Sequence, residues 1–210
     1  MKKIIPLALT MIMSLSATAQ DAVRLPEPDK TVSMTLFDAL QNRHSVREFT
    51  AQDISDDTLS RLLWAATGVN RGDGRMTAPT AVNAQDISVY VASKQGVSLY
   101  RPQDHSLLRV TDQDIRKEVA ARQVGVAGAP IFLIIVSDAS KFGGASSENG
   151  KAFSREDAAY VSQNINLAAA ALGLGTVPRH IMNREAISKA LHLGQDHIIV
   201  LNHPIGYPKK

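Results

Sequence analysis

The chain has 210 residues, 44% of them hydrophobic, with 23 Lys and Arg against 20 Asp and Glu and no cysteine. The absence of cysteine excludes disulfides, thiolate metal sites and a cysteine nucleophile. A formal net charge of +3 is too weak a basic signature for a nucleic-acid-binding surface.

Met1-Lys2-Lys3 precedes a nearly uninterrupted apolar run from Ile4 to Leu15, followed by the small residues Ala17-Thr18-Ala19. This is the layout of a secretory signal peptide over residues 1–19, and it predicts an exported protein, periplasmic or secreted. The apolar run falls short of the roughly 20 residues of a membrane span, so no span is expected. Loss of Lys2 and Lys3 leaves 21 basic residues against 20 acidic ones. Residues 20–32, with Pro26, Pro28 and several charges, predict an extended leader, and a single domain is expected over 33–210.

Thr35 to Asp38 spells a capping box that opens a helix to about Arg43. Ser55, with Asp56 and Asp57 in the first turn, caps a second helix whose Leu59, Leu62, Leu63 and Ala66 share a face and which stops at Gly68. From Val69 to Gln85 there is no apolar period, which predicts a long loop of the kind that carries function. Ile87 to Ala92 reads as a strand, and Ser98–Arg101 with Leu107–Val110 as a hairpin across Pro102 to His105. Thr111 with Asp114 is expected to cap a helix towards Arg122. Ile131 to Val136 is a continuous apolar run that suits a buried central strand. Lys141 to Lys151 reads as a mobile glycine- and serine-rich segment. Ser154 with Asp157 is expected to cap the longest helix, which runs to Leu172 and stops at Gly173. Asn183 to Leu191 predicts a last helix, and Ile198 to Leu201 a last strand before His203-Pro204. Strands and helices mix without regular alternation, which favours α+β.

Several familiar sites fail on spacing. Gly173-Leu174-Gly175 lacks a third glycine and follows a helix, unlike a dinucleotide fingerprint. No phosphate loop and no G-x-S-x-G is present. His192 and His197 have no ligand pattern around them, so no metal is expected, and Arg71-Gly72-Asp73 fits simple loop composition. What remains is Arg43-His44-Ser45-Val46-Arg47, where a helix gives way to an extended segment. Alternation along extended backbone puts Arg43, Ser45 and Arg47 on one side, and the guanidinium fork suits phosphate oxygens. The same residues are equally explained as cations complementing the negative end of a helix dipole.

Arg43-His44-Ser45-Val46-Arg47-Glu48-Phe49 is similar to the opening R-x-S-x-R motif of the nitroreductase superfamily. Pro79-Thr80-Ala81-Val82-Asn83-Ala84-Gln85 resembles its second flavin segment, P-S-x-x-N-x-Q. Gln163-Asn164 with Ala171 to Pro178 resembles its third block, and Ile205-Gly206-Tyr207-Pro208 its terminal G-Y-P, so the likeness spans Thr35 to Pro208. Val97 to Pro102 with His105 to Leu108 resembles the hairpin of the subgroup that includes thiazole- and oxazole-forming peptide dehydrogenases.

The resemblance implies a nitroreductase-like three-layer α+β fold, with a mainly antiparallel sheet flanked by helices. It also implies an intertwined homodimer with FMN between the subunits. By position, Arg43, His44, Ser45 and Arg47 would hold phosphate and ribityl, and Asn83 and Gln85 the ribityl or ring edge. Pro178, Arg179 and His180 would offer backbone N–H groups near the ring. Many members continue past G-Y-P to a basic residue on the phosphate, and here Lys209-Lys210 follow. No catalytic side chain is implied, because the flavin carries the chemistry. The function expected is an FMN-dependent oxidoreductase acting on a small organic substrate or redox carrier; the alternative is a flavin-binding or flavin-storage protein without turnover.

Overall fold

The computed structural model describes residues 22–31 and 33–209. The expected signal peptide at 1–19 lies outside the described residues, as does Lys210.

Among the described residues, seven strands form one sheet in which every neighbouring pair is antiparallel. In chain order they are β1 (Ala22–Arg24), β2 (Ile87–Ser93), β3 (Gly96–Arg101), β4 (Ser106–Thr111), β5 (Ile131–Asp138), β6 (Gly175–Thr176) and β7 (His197–Gly206). Their order across the sheet is β1-β4-β3-β2-β5-β7-β6. The helices are α1 (Leu36–Asn42), α2 (Asp56–Thr67), α3 (Arg116–Ala120), α4 (Glu148–Ala171) and α5 (Arg184–Ala190).

The apolar run at Ile131 forms β5, paired with β2 on one side and β7 on the other. Its side chains alternate between two cores, as the strand pleat requires. Leu133 and Ile135 join α2 and α4, while Phe132, Ile134 and Val136 join α3 and α5. Helices on both faces make three layers, as expected. Burying one such side chain stabilises the fold by about 1.5–3 kcal/mol, so β5 fixes the frame.

The caps at Thr35 and Ser55 hold as read. Thr35 accepts from Asp38 N and Asp38 reciprocates, while Ser55 Oγ accepts from Thr58 N. Five other expectations change. The leader contributes β1, which pairs with β4, and Leu25 behind it is buried in the core. Thr111 ends β4 instead of capping a helix; Asp114 accepts from Arg116 N, and α3 is only five residues long. The long helix is capped seven residues before Ser154, by Ser147, whose Oγ accepts from Gly150 N at 2.8 Å. Gly150 is needed there, because a Cβ would lie 2.1 Å from the Gly144 carbonyl oxygen. The segment expected to be mobile is therefore a 3-10 turn, Ala139–Phe142, and the first turn of α4. Finally, β7 continues through Pro204 to Gly206. Pro204 pairs with Phe132 on β5, and its other edge lies between the Arg179–Asn202 bridge and the short β6, where little pairing is interrupted.

His203, fully buried on β7, ties the layers. Its Nε2 meets Ser162 Oγ of α4 at 2.8 Å and its Nδ1 meets Thr176 Oγ1 of β6 at 3.1 Å. Burial pushes its pKa down to about 3. The unfolded imidazole titrates near 6.5, so the unfolded chain takes up a proton that the folded chain refuses. This contribution is complete above pH 6.5 and is lost as pH falls towards 3, amounting to roughly 2 kcal/mol at pH 5. Urea unfolding at pH 7 and pH 5 is expected to show His203→Gln less stable at pH 7 but with a shallower acid loss than the wild type; parallel losses would reject the assignment.

Candidate functional site

At Arg43 the chain leaves α1 with extended backbone (φ −61°, ψ 121°) and runs along the edge of the sheet. Val46 N donates to Thr176 O at 2.9 Å, and Ser45 bridges Thr176 in the parallel sense. Further on, Lys209 N donates to Glu48 O at 3.0 Å and Thr50 N to Tyr207 O at 2.9 Å. The segment is thus held between β6 and the last residues of the chain. Val46 packs inward over Gly175, where a Cβ would lie 2.6 Å from Val46 Cγ1; this close approach explains the glycine.

Arg43, His44, Ser45 and Arg47 are exposed. His44 Nδ1 lies 2.8 Å from Asn42 O. Among the described residues, neither Arg43 nor Arg47 has a carboxylate within ion-pair distance, although six other ion pairs form. Two guanidinium groups are therefore presented to solvent from a fixed backbone, with the Lys209 backbone alongside. Such a group can take a phosphate without first breaking an ion pair.

Asn83 and Gln85 lie in a different place. The turn Ala81–Asn83 follows Thr80, and Val82, Asn83 and Gln85 have φ of 47°, 55° and 50°. Left-handed backbone at a non-glycine residue costs on the order of 1–2 kcal/mol, and a β-branched valine there is an outlier. The segment is pinned to keep that shape. Gln85 N donates to Thr80 Oγ1 at 2.9 Å, Gln85 Nε2 to Gly74 O at 3.1 Å, and Lys141 Nζ to the carbonyls of Ala84 and Gln85. Ala81 N donates to both oxygens of Asp157, at 3.0 and 2.9 Å. Asn83 is exposed and Gln85 half-buried.

These two segments do not converge in one chain. Thr176, beside Ser45, pairs with Ile205, which pairs with Ile131 at the start of β5. Asp86, next to Gln85, accepts through its carbonyl from Asp138 N at the end of β5. An eight-residue strand at about 3.3 Å per residue separates them by roughly 20 Å.

The third group needs correction. Arg179 is buried, and its N–H and C=O are both bonded to Asn202 at 2.8 Å. Its guanidinium donates to Gln123 Oε1, Val119 O, Asn202 Oδ1, Ala120 O and Ile181 O, and burial lowers its pKa. Arg179 thus links α3 to β7 and offers nothing to a ligand. Pro178 has no N–H to give. His180 is exposed, its ring and carbonyl contacted by Arg184 Nη2, and only its backbone N–H is left without a partner among the described residues.

A cavity of about 450 Å³ lies between residues 28–30, α1, α2 and α4. Trp64, Ala65, Leu167 and Ala168 contribute apolar lining, while Asp29, Lys30, Arg61, Asn70, Thr77 and Asn164 are among its polar residues. None of the nine expected site residues lines it. Composition alone gave no reason to single out Trp64 or Asn70. The part played by Asp157 was masked by its place in an apparent capping box.

A model described as "Nitroreductase family" matches residues 40–207. A nitroreductase-family protein of Methanocaldococcus jannaschii is 32% identical over 164 residues, covering 74% of this chain and 81% of that protein. A crystal structure of a nitroreductase-family protein from Ralstonia eutropha JMP134 superposes with TM-score 0.83 at 35% identity, covering 92% of each chain. Another, from Clostridium novyi NT, gives TM-score 0.62 at 20% identity over 84% of this chain and 87% of that one, a likeness of fold.

Replacing Arg179 by Lys leaves several buried acceptors without donors. The expected loss is about 2–4 kcal/mol of stability, read from urea unfolding; a loss within 0.5 kcal/mol, the range usual for plain surface substitutions, would return Arg179 to the list of ligand-binding candidates.

Proposed function

The chain belongs to the nitroreductase family of oxidoreductases, and from that premise we propose that it is an exported FMN-dependent enzyme gripping the flavin phosphate with Arg43, Ser45 and Arg47. The observation that carries this reading is the pair of unpaired guanidinium groups on a backbone fixed by Thr176 and the chain end. Phosphate oxygens match the donor fork of arginine, and the Ser45 hydroxyl adds a neutral donor. His44 borders the ribityl side, and the Lys209 backbone beside Glu48 supports a third cation near the phosphate.

Asn83 and Gln85 belong to the same pocket only if a second copy supplies them. Their distance from Arg43 within one chain supports a homodimer in which each flavin meets the phosphate segment of one subunit and the strained turn of the other. Leu36 and Phe37 of α1, 61% and 81% exposed, and Val82, 90% exposed, offer apolar surface for that contact. FMN supplies two-electron transfer when bound. This chain's residues hold and orient it, and the His180 N–H is the donor left for the ring edge, where fixed dipoles favour negative charge. No side chain is assigned a proton transfer.

The N-terminal pattern of charge, apolar run and small residues supports export. Nicotinamide cofactors are not expected outside the cytoplasm, so the electron partner is a small organic molecule or another exported redox carrier. The β3–β4 hairpin, with Tyr100 and His105 bonded at 2.8 Å, supports kinship with the thiazole- and oxazole-forming subgroup while leaving the substrate to differ.

Purified protein supplemented with FMN is expected to show a flavin absorbance band that survives desalting. Each of Arg43→Ala and Arg47→Ala is expected to weaken FMN binding by about 10- to 100-fold, the worth of one charged hydrogen bond; unchanged binding in both would remove the grip. For export, mass spectrometry of the mature protein is expected to find Gln20 at the N-terminus, and an intact Met1 would argue against it.

A further inference from the structure

Beneath the strained turn that carries Asn83 and Gln85 lies a buried polar cluster that the flavin reading does not use. Asp86 and Asp157 are 1% and 2% exposed, and Ser137 and Ser154 are fully buried. Ser137 Oγ donates to Asp86 Oδ2 and lies 2.7 Å from Ser154 Oγ, so a chain of hydroxyl donors runs from Ser154 through Ser137 to Asp86. Asp157 accepts from Ala81 N with both oxygens. One atom of the cluster is left over: Asp86 Oδ1 is buried without a donor among the described residues. A buried acceptor without a partner is costly, and two charged carboxylates side by side in a buried site are costlier still. One proton removes both costs.

We propose that Asp157 carries a proton which it donates to Asp86 Oδ1, and that this carboxylic acid–carboxylate pair is the positioning element that holds the Ala81–Gln85 turn in its ligand-binding shape. In that state Asp157 keeps one oxygen for the Ala81 N–H, while Ser137 and Asp157 satisfy the two oxygens of Asp86. Losing the proton places two negative charges together under a turn in which Val82 and Gln85 hold left-handed backbone that their residue types disfavour. The turn then relaxes, and Asn83 and Gln85 lose their setting. As a binding effect the inference rests on the flavin reading of those two residues; as a lock on the turn it does not.

Burial, followed by contact with Asp86 and the charge of Glu156, pushes the Asp157 carboxyl up to about 6, against the lowering effect of the Ala81 N–H. The charged groups around the pair come from each adjoining element. Glu156 lies on α4, and Lys141 and Asp138 at the turn after β5. Asp73 and Arg75, paired at 3.2 Å, flank the Gly74 carbonyl that accepts from Gln85. A folded-state value above the ordinary range means that the shared proton's contribution is complete below about pH 4 and is lost as pH rises through 6.

The test compares FMN dissociation constants of the wild type and Asp157→Asn from pH 5 to 7.5. Asparagine keeps an acceptor for Ala81 N and a permanent donor for Asp86. The second ionisation of the FMN phosphate also falls near pH 6, but it acts equally on both proteins, so the ratio of their constants is the readout. Wild type and variant are expected to bind alike at pH 5 and to differ by about tenfold at pH 7.5, with the variant tighter. A ratio that stays flat across this range would overturn the proposal. Carboxyl 13C NMR of the flavin-free protein separates the two readings. An Asp157 midpoint near 6, followed by the Ala81 amide shift, supports the lock even if no FMN binds at any pH, an outcome that sinks only the flavin reading. A midpoint in the ordinary aspartate range overturns the lock itself.

Discussion

The fold depends on the fixed position of β5. Phe132 to Ser137 are paired along both edges, and the apolar side chains of the strand are covered on both faces, so none of those side chains can move without opening a core. Elements near its two ends inherit that rigidity. At Ile131, pairing passes through β7 to β6 and from there to Val46. At Asp138 it passes to Asp86 and the turn before it. The two segments of functional interest are both irregular backbone, and both are rigid because they are moored to opposite ends of the same strand.

That arrangement separates the duties of the two segments. The Arg43–Arg47 stretch is conformationally ordinary and chemically open, with extended backbone and cations that have no carboxylate partner among the described residues. The Ala81–Gln85 turn is the reverse. Its backbone is strained and its shape is maintained by Thr80, Lys141, Gly74 and Asp157 from four directions. A ligand meeting the first segment finds charge, and one meeting the second finds a preformed shape. Because one chain holds them about a strand's length apart, the pocket proposed from both would need two chains.

Buried polar groups divide along similar lines. Arg179 and His203 are fully engaged by neutral partners and knit α3, α4, β6 and β7 together, so they act as internal fasteners. The Asp86–Asp157 cluster is short of one donor, and that shortfall gives it a response to pH. The same low-dielectric interior drives His203 and Asp157 towards neutrality, and it shifts their pKa values in opposite directions because one is a base and the other an acid.

Local chemistry along the chain was enough to fix α1 and α2, whose caps lie within three residues of the groups they satisfy, and to identify β5 from its unbroken apolar run. It also picked out Arg43 to Arg47, since two arginines and a serine at alternating positions are visible in any extended segment, but it left a phosphate site and a complement to the helix end equally open. Tertiary structure decided the rest wherever one local pattern admits two physical solutions. Ser154-x-x-Asp157 has the form of a cap, yet both residues face a buried neighbour from another element. Arg179 stands where the resemblance implies a backbone donor, yet its N–H is taken by Asn202, and five acceptors, four of them far along the chain, claim its guanidinium. Residues 22–24 have no strand pattern of their own, and they form β1 because the free edge of β4 supplies the hydrogen bonds. Caps and periodicities are satisfied within a few residues and can be read from the chain, whereas the partner of a buried charge or a sheet edge lies tens of residues away and exists only after the chain has folded.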